Sequence, residues 1–217
     1  MKAITYTEYG SPDVLRLTEL AKPTPKDDEV LIRIRAASVN ALDWRLMRGK
    51  PVFVRLMMGG LRKPKVTRPG VDVAGQVEAV GRNVTQFKPG DEVFGACRGA
   101  FAEYVCVIED KLALKPSNIS FEEAAAVPVA AISALQSLRD AGRIQRGHEV
   151  LVDGAGGGVG TFAVQIAKSF GAEVTPGTIT VADREQEDAF LSGEDKPEGF
   201  GSSEKSARSW KSCARAG

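Results

Sequence analysis

The sequence predicts an α+β/α/β chain in which a small barrel-like β domain is followed by one βαβ segment. Three observations predict it. Residues 1–115 hold many short apolar or alternating runs separated by turn residues, the pattern of a small barrel. From Ser120 the periodicity becomes helical. Residues 150–175, VLVDGAGGGVGTFAVQIAKSFGAEVT, then read as strand, glycine-rich turn, helix and strand.

In chain order, residues 1–6 and 14–20 are short strands around the turn Tyr9-Gly10-Ser11-Pro12. Residues 30–36 alternate apolar and basic side chains, as a half-exposed strand does. Residues 40–48 suit a short helix. The basic stretch 50–68, with Met57, Met58, Gly59 and Gly60 at its middle, reads as a mobile loop. Residues 71–80 form a strand with a break at Gly75. After the turn Lys88-Pro89-Gly90-Asp91, residues 92–94 resume a strand, and 101–107 and 111–115 add two more. Ser120 and Glu123 have the spacing of a capping box, opening a short helix. Pro128 is tolerated at the first turn of the next helix, which runs to about residue 141.

The segment that follows carries the chemistry. Val150, Leu151 and Val152 read as a strand buried on both faces. Asp153 and Gly154 leave the strand, and Ala155, Gly157 and Gly160 then form an A-x-G-x-x-G variant of the dinucleotide fingerprint, in the strand-to-helix context that gives the motif weight. A Cβ at Gly157 would hold a pyrophosphate off the backbone, and Gly160 lets the helix pack closely. The helix N-terminus offers free N–H groups and partial positive charge. Val159, Phe162, Ala163, Ile166, Ala167 and Phe170 make one apolar helix face, Gly171 suits the position past its end, and residues 172–175 begin a second strand. The domain limits are therefore 1–119 for the β domain and 120–175 for the partial nucleotide-binding segment. Residues 176–217 have little apolar periodicity and are expected to be a disordered tail.

Composition narrows the class. The 217 residues are 43% hydrophobic, enough for a core, and the net charge of +1 points to neither nucleic acid nor a membrane. Cys97, Cys106 and Cys213 do not form a disulfide framework, residues 1–10 have no apolar signal core, and no apolar run is long enough to span a bilayer. A cytoplasmic protein is the expectation.

Several ordered motifs carry a family resemblance: Ala36-Ala37-Ser38-Val39-Asn40 followed by Asp43-Trp44; Pro69-Gly70-Val71-Asp72-Val73-Ala74-Gly75; Val80-Gly81; Phe87-Lys88-Pro89-Gly90-Asp91-Glu92-Val93-Phe94-Gly95; Ala102-Glu103-Tyr104; Ala124-Ala125-Ala126-Val127-Pro128; and Gly154 to Gly160. Over residues 1–175 the chain resembles the medium-chain dehydrogenase/reductase superfamily, in its zinc-independent quinone oxidoreductase branch. The resemblance implies a GroES-like β-barrel domain, an incomplete Rossmann βαβ segment, NADPH with NADH as the alternative, and hydride transfer to a quinone, an enone or a similar activated carbonyl compound. A homodimer would follow if the sheet were complete. Asn40 matches the family asparagine near the nicotinamide, and Asp43 the acidic residue of the same motif. Ala41 and Arg45 replace a proline and a tyrosine common in relatives, so the substrate pocket does not carry over.

No metal is expected. Catalytic zinc needs three ligands from Cys, His and carboxylate, but Asn40 replaces the family cysteine ligand and Val71 falls where a histidine ligand would be. The single histidine, His148, reads as a surface residue leading into the strand. Without metal, hydride transfer relies on position and on donors near developing charge. Asn40 could donate to the nicotinamide amide or to the substrate carbonyl, or be only a turn asparagine after a strand. Asp43 reads as a helix N-terminal or structural residue, and Tyr104 as a half-buried β-domain tyrosine. The basic residues between Arg45 and Arg68 read as a solvated loop. No acid stands where the second strand ends to bind a ribose 2′-hydroxyl, and Asp183 lies in the tail, which favours NADPH. Candidate cofactor-binding residues are Asn40, Gly154, Ala155, Gly156, Gly157, Gly158, Val159 and Gly160, with Asn40 also the candidate catalytic residue. The rival expectation is a non-catalytic chain, truncated or frame-shifted near Thr175.

Overall fold

The structure is a computed structural model that describes residues 1–50, 52, 55 and 60–177. The N-terminal pair, β1 (Lys2–Thr5) and β2 (Arg16–Glu19), is antiparallel. Five further strands follow: β3 (Glu29–Ala36), β4 (Asp72–Val80), β5 (Glu92–Ala96), β6 (Tyr104–Ile108) and β7 (Leu112–Leu114). They form one antiparallel sheet in the order β6-β3-β4-β5-β7. The first pair reaches that sheet's loops through an isolated bridge from Ala3 to Ala102.

Strand period two decides what each face of β4 does. Val73 and Val77 point into the core with Val30, Ile32, Phe87, Val93, Ala100, Val105 and Val107. Asp72 and Ala74 point the other way, and Ala74 packs on Ala124 and Ala125 of α2 (Phe121–Ala125). Polar Asp72 is thereby carried into a fully buried position on the helix-covered face.

The expected break at Gly75 is not there: β4 runs unbroken through it. The irregularity lies in its partner, where Ile34 pairs Gly75 and Ala36 pairs Ala74, leaving Arg35 as the extra residue of a bulge. Gly75 answers to close approach, since a Cβ there would lie 2.3 Å from the Arg33 carbonyl oxygen. The strand expected over 101–107 begins only at Tyr104, because the residues before it turn back toward β1.

The helical part begins where expected. The Ser120 hydroxyl accepts from the Glu123 N–H (3.1 Å) while the Glu123 carboxylate accepts from the Ser120 N–H (2.8 Å). Pro128 opens α3 (Pro128–Leu135). The expected continuation to residue 141 is present but winds as a π-helix over 136–141.

β8 (Glu149–Val152) and β9 (Glu173–Pro176) are parallel neighbours linked by α4 (Gly158–Ser169), so the βαβ unit is formed. The expectation that Leu151 lies in a strand buried on both faces is corrected: Leu151 is 67% exposed. Two described strands and one helix cover a single face. The predicted α4 face is likewise buried at Ala167 but partly open at its ends, Val159 and Phe170. Pro176, assigned by sequence to the tail, is the last residue of β9. The disorder expected of the tail, the Asp183 and Cys213 readings, and the mobility expected of residues 51, 53–54 and 56–59 fall outside the described residues.

Candidate functional site

The turn after β8 is shaped by its glycines. Gly154 takes φ +71°, its carbonyl accepts from the Gly157 N–H at 2.9 Å, and the Ala155 N–H donates to Gly177 just past β9. A Cβ on Gly160 would stand 2.1 Å from the Gly154 carbonyl oxygen, so only glycine lets α4 start this close to the turn. At Gly156 and Gly158, by contrast, an added Cβ would meet nothing within 4 Å. The open side of the turn is solvent-facing: Gly156, Gly157, Gly158 and Val159 are all exposed. The Thr161 N–H donates to Gly157, so the amides of Gly158, Val159 and Gly160 precede the first bond of α4 and have no acceptor within the helix. An uncovered loop with free amides at a helix N-terminus fits an anionic diphosphate.

A second group of candidate residues lies on the β domain, at the start of α1 (Ala41–Arg48). Asn40 is the N-cap residue. Its backbone N–H donates to Asp43 Oδ2 at 2.8 Å, and Asp43 Oδ1 accepts from the Gly70 N–H at 2.9 Å. The reading of Asp43 as structural therefore holds. Burial raises its carboxyl above the usual value, the two backbone N–H bonds pull it down, and the charge of Asp72 adds a smaller push upward.

The Asn40 side chain is held as well. Its Nδ2 donates to Ser38 Oγ (3.0 Å) and to Asp72 Oδ2 (2.9 Å). Ser38 Oγ also donates to Asp72 Oδ2 (2.9 Å), and Asp72 Oδ1 accepts from the Val129 N–H in the first turn of α3 (3.1 Å). Asp72 was visible in sequence only as one letter of a motif. The signal that could have found it is a lone acid inside an apolar strand, Val71-Asp72-Val73-Ala74, where a charge is rarely buried without partners. Its carboxyl is raised by burial and lowered by the bonds from Asn40, Ser38 and Val129.

Beside this network lies a cleft of about 190 Å³ lined among others by Tyr6, Leu42, Asp43, Val71, Cys97 and Val129. Burial and the neighbouring Asp72 and Asp43 charges push the Cys97 thiol up to about 12. Tyr104 is half-buried with the Lys22 ammonium 4.1 Å from its ring centre, and His148 is exposed, both as expected. Among the described residues no three His, Cys, Asp or Glu side chains stand together as a metal site, and no helix is long and apolar enough to cross a membrane.

Comparison with known proteins agrees with this layout. Residues 26–117 match the alcohol dehydrogenase GroES-like domain family. The chain is 43% identical over 190 residues to a 2-methylene-furan-3-one reductase of Solanum lycopersicum, covering 82% of this chain and 47% of that protein. It is 37% identical over 183 residues to a quinone oxidoreductase of Sus scrofa, covering 82% and 53% respectively. Among solved structures, Escherichia coli quinone oxidoreductase complexed with NADPH matches at a TM-score of 0.73 with 29% identity, over 85% of this chain and 55% of that one. The chain thus spans about half the length of the curated relatives it matches.

Proposed function

Because the chain belongs to the medium-chain dehydrogenase/reductase superfamily and carries its GroES-like domain, we propose that it holds the nicotinamide-binding half-site of a zinc-independent reductase acting on a quinone, an enone or a similar activated carbonyl compound. The observation that carries this reading is the uncovered Gly154–Gly160 turn, whose free amides meet the charge and shape of a diphosphate. NADPH is the preferred cofactor, and when bound it supplies the hydride.

The chain's own residues bind and orient. Gly156, Gly157 and Gly158 admit the diphosphate to the backbone because no Cβ stands in the way, and the first turn of α4 offers its amides. Asn40 contributes a fixed polar atom on the β-domain side. Its Nδ2 faces Ser38 and Asp72, and its Oδ1 faces the first turn of α1, where it closes the capping box with the Asp43 N–H.

Fluorescence titration with NADPH tests the proposal, with Gly157→Val as control. Saturable binding by the parent, weakened at least tenfold in the variant, is expected. Equal binding by the two proteins would overturn the loop assignment.

A further inference from the structure

Asp72 is the best-satisfied buried charge in the described chain, and none of its three bonds serves strand pairing. It is fully buried. One oxygen, Oδ2, receives both Asn40 Nδ2 and Ser38 Oγ; the other, Oδ1, receives the N–H of Val129. A buried carboxylate accepts only, so it decides how a neighbouring amide turns. Were Asn40 to flip, its carbonyl oxygen would face the Asp72 oxygen, acceptor against acceptor in a buried setting, which is strongly disfavoured. Ser38 strengthens the choice, because its hydroxyl proton is given to Asp72 and its lone pair is left for Asn40.

We propose that Asp72 is a positioning residue that fixes the facing of the Asn40 amide, with Nδ2 toward Asp72 and Oδ1 toward the first turn of α1, so that Asn40 offers its ligand one defined set of polar atoms. The carboxylamide of a nicotinamide nucleoside has matching hydrogen-bond chemistry, and this last step rests on the function proposed above. The Val129 bond adds a second consequence. Asp72 fastens the first turn of α3, and α3 packs against α4, so one carboxylate sets both Asn40 and the helix pair that carries the glycine turn.

The test uses the full chain labelled with ¹⁵N at asparagine, of which there are three: Asn40, Asn83 and Asn118. Asn40→Asp identifies the Asn40 side-chain signals by their loss. In the parent both Asn40 amide protons are expected to exchange slowly with water. In Asp72→Ala, and in Ser38→Ala should the first variant fold poorly, exchange at Asn40 is expected to accelerate at least tenfold. Unchanged Asn40 exchange in a folded variant of either kind would overturn the positioning role.

A second arm reads the consequence. Asn40→Asp alone sets two carboxylates face to face and is expected to weaken NADPH binding at least tenfold. The double variant Asn40→Asp/Asp72→Asn restores a donor–acceptor pair between positions 40 and 72, and is expected to recover most of the loss. A double variant no better than Asn40→Asp would overturn the positioning of Asn40 by Asp72. If the parent itself does not bind NADPH, the cofactor reading fails, and the exchange measurement still decides the role of Asp72.

Discussion

The Val129 N–H donates to the buried Asp72 carboxylate at 3.1 Å, joining residues 57 apart in the chain. The bond ties the helix-covered face of β4 to the first turn of α3, where the helix dipole favours a negative charge. On its other oxygen the same carboxylate holds Asn40 and Ser38. The β domain and the βαβ segment are therefore joined by a charged group as well as by apolar packing, and the first predictions concern the carboxylates on that side of the sheet.

Asp72 gives the chain a pH dependence of defined sign. Burial raises its carboxyl in the folded state above the unfolded value. The folded form therefore binds the proton more readily than the unfolded form. The contribution of this group to stability is fullest below the unfolded value, near 4, and is lost as pH rises through the raised folded value. Urea midpoints of the parent and of Asp72→Asn, compared from pH 4 to 7, should show the parent's relative advantage shrinking as pH rises. A growing advantage would contradict the assignment.

Asp43 is expected to matter for stability. Its two oxygens satisfy the N–H groups of Asn40 and Gly70. Asp43→Ala leaves both donors without acceptors, at about 1–3 kcal/mol each when buried. Equilibrium urea unfolding should show a loss of about 2–4 kcal/mol on that basis; a loss within the ordinary surface range of about 0.5 kcal/mol would refute the structural role.

The glycine turn separates two kinds of glycine. Gly160→Ala drives a Cβ against the Gly154 carbonyl, whereas Gly158→Ala places one in open space at the first position of α4. Thermal unfolding should show a clearly lowered midpoint for Gly160→Ala and an unchanged or slightly raised one for Gly158→Ala. Similar midpoints for the two would mean that the turn is not packed as described.

Cys97 should be slow to alkylate. With its thiol pushed up to about 12, almost none of it is thiolate at pH 8. Cys106, also raised but less buried, should react faster with iodoacetamide in a peptide-mapped time course. Faster labelling at Cys97 would show that the cleft opens to solvent more than its packing implies.

Local signals were legible. Ser120 and Glu123 stand three residues apart, Pro128 fits a first helical turn, and the glycines after Val152 sit between strand and helix; each is read within one turn of chain. Gly75 was misread because its cause, the Arg33 carbonyl and the bulge at Arg35, lies on another strand. Leu151 was misread because an apolar run does not reveal how many neighbouring strands and helices cover it.

By itself the sequence determined the order and type of the elements, the capping at Ser120 and the glycine turn, since these follow from side-chain period and turn chemistry over a few residues. Tertiary structure alone decided that Asp72 is buried, that the Asn40 amide nitrogen is held by Asp72, and that Asp43 serves Gly70. Those outcomes depend on partners 27 to 57 residues away. Only the pairing of β3 with β4 and the docking of α2 and α3 onto the face of β4 opposite the core bring them within hydrogen-bonding distance.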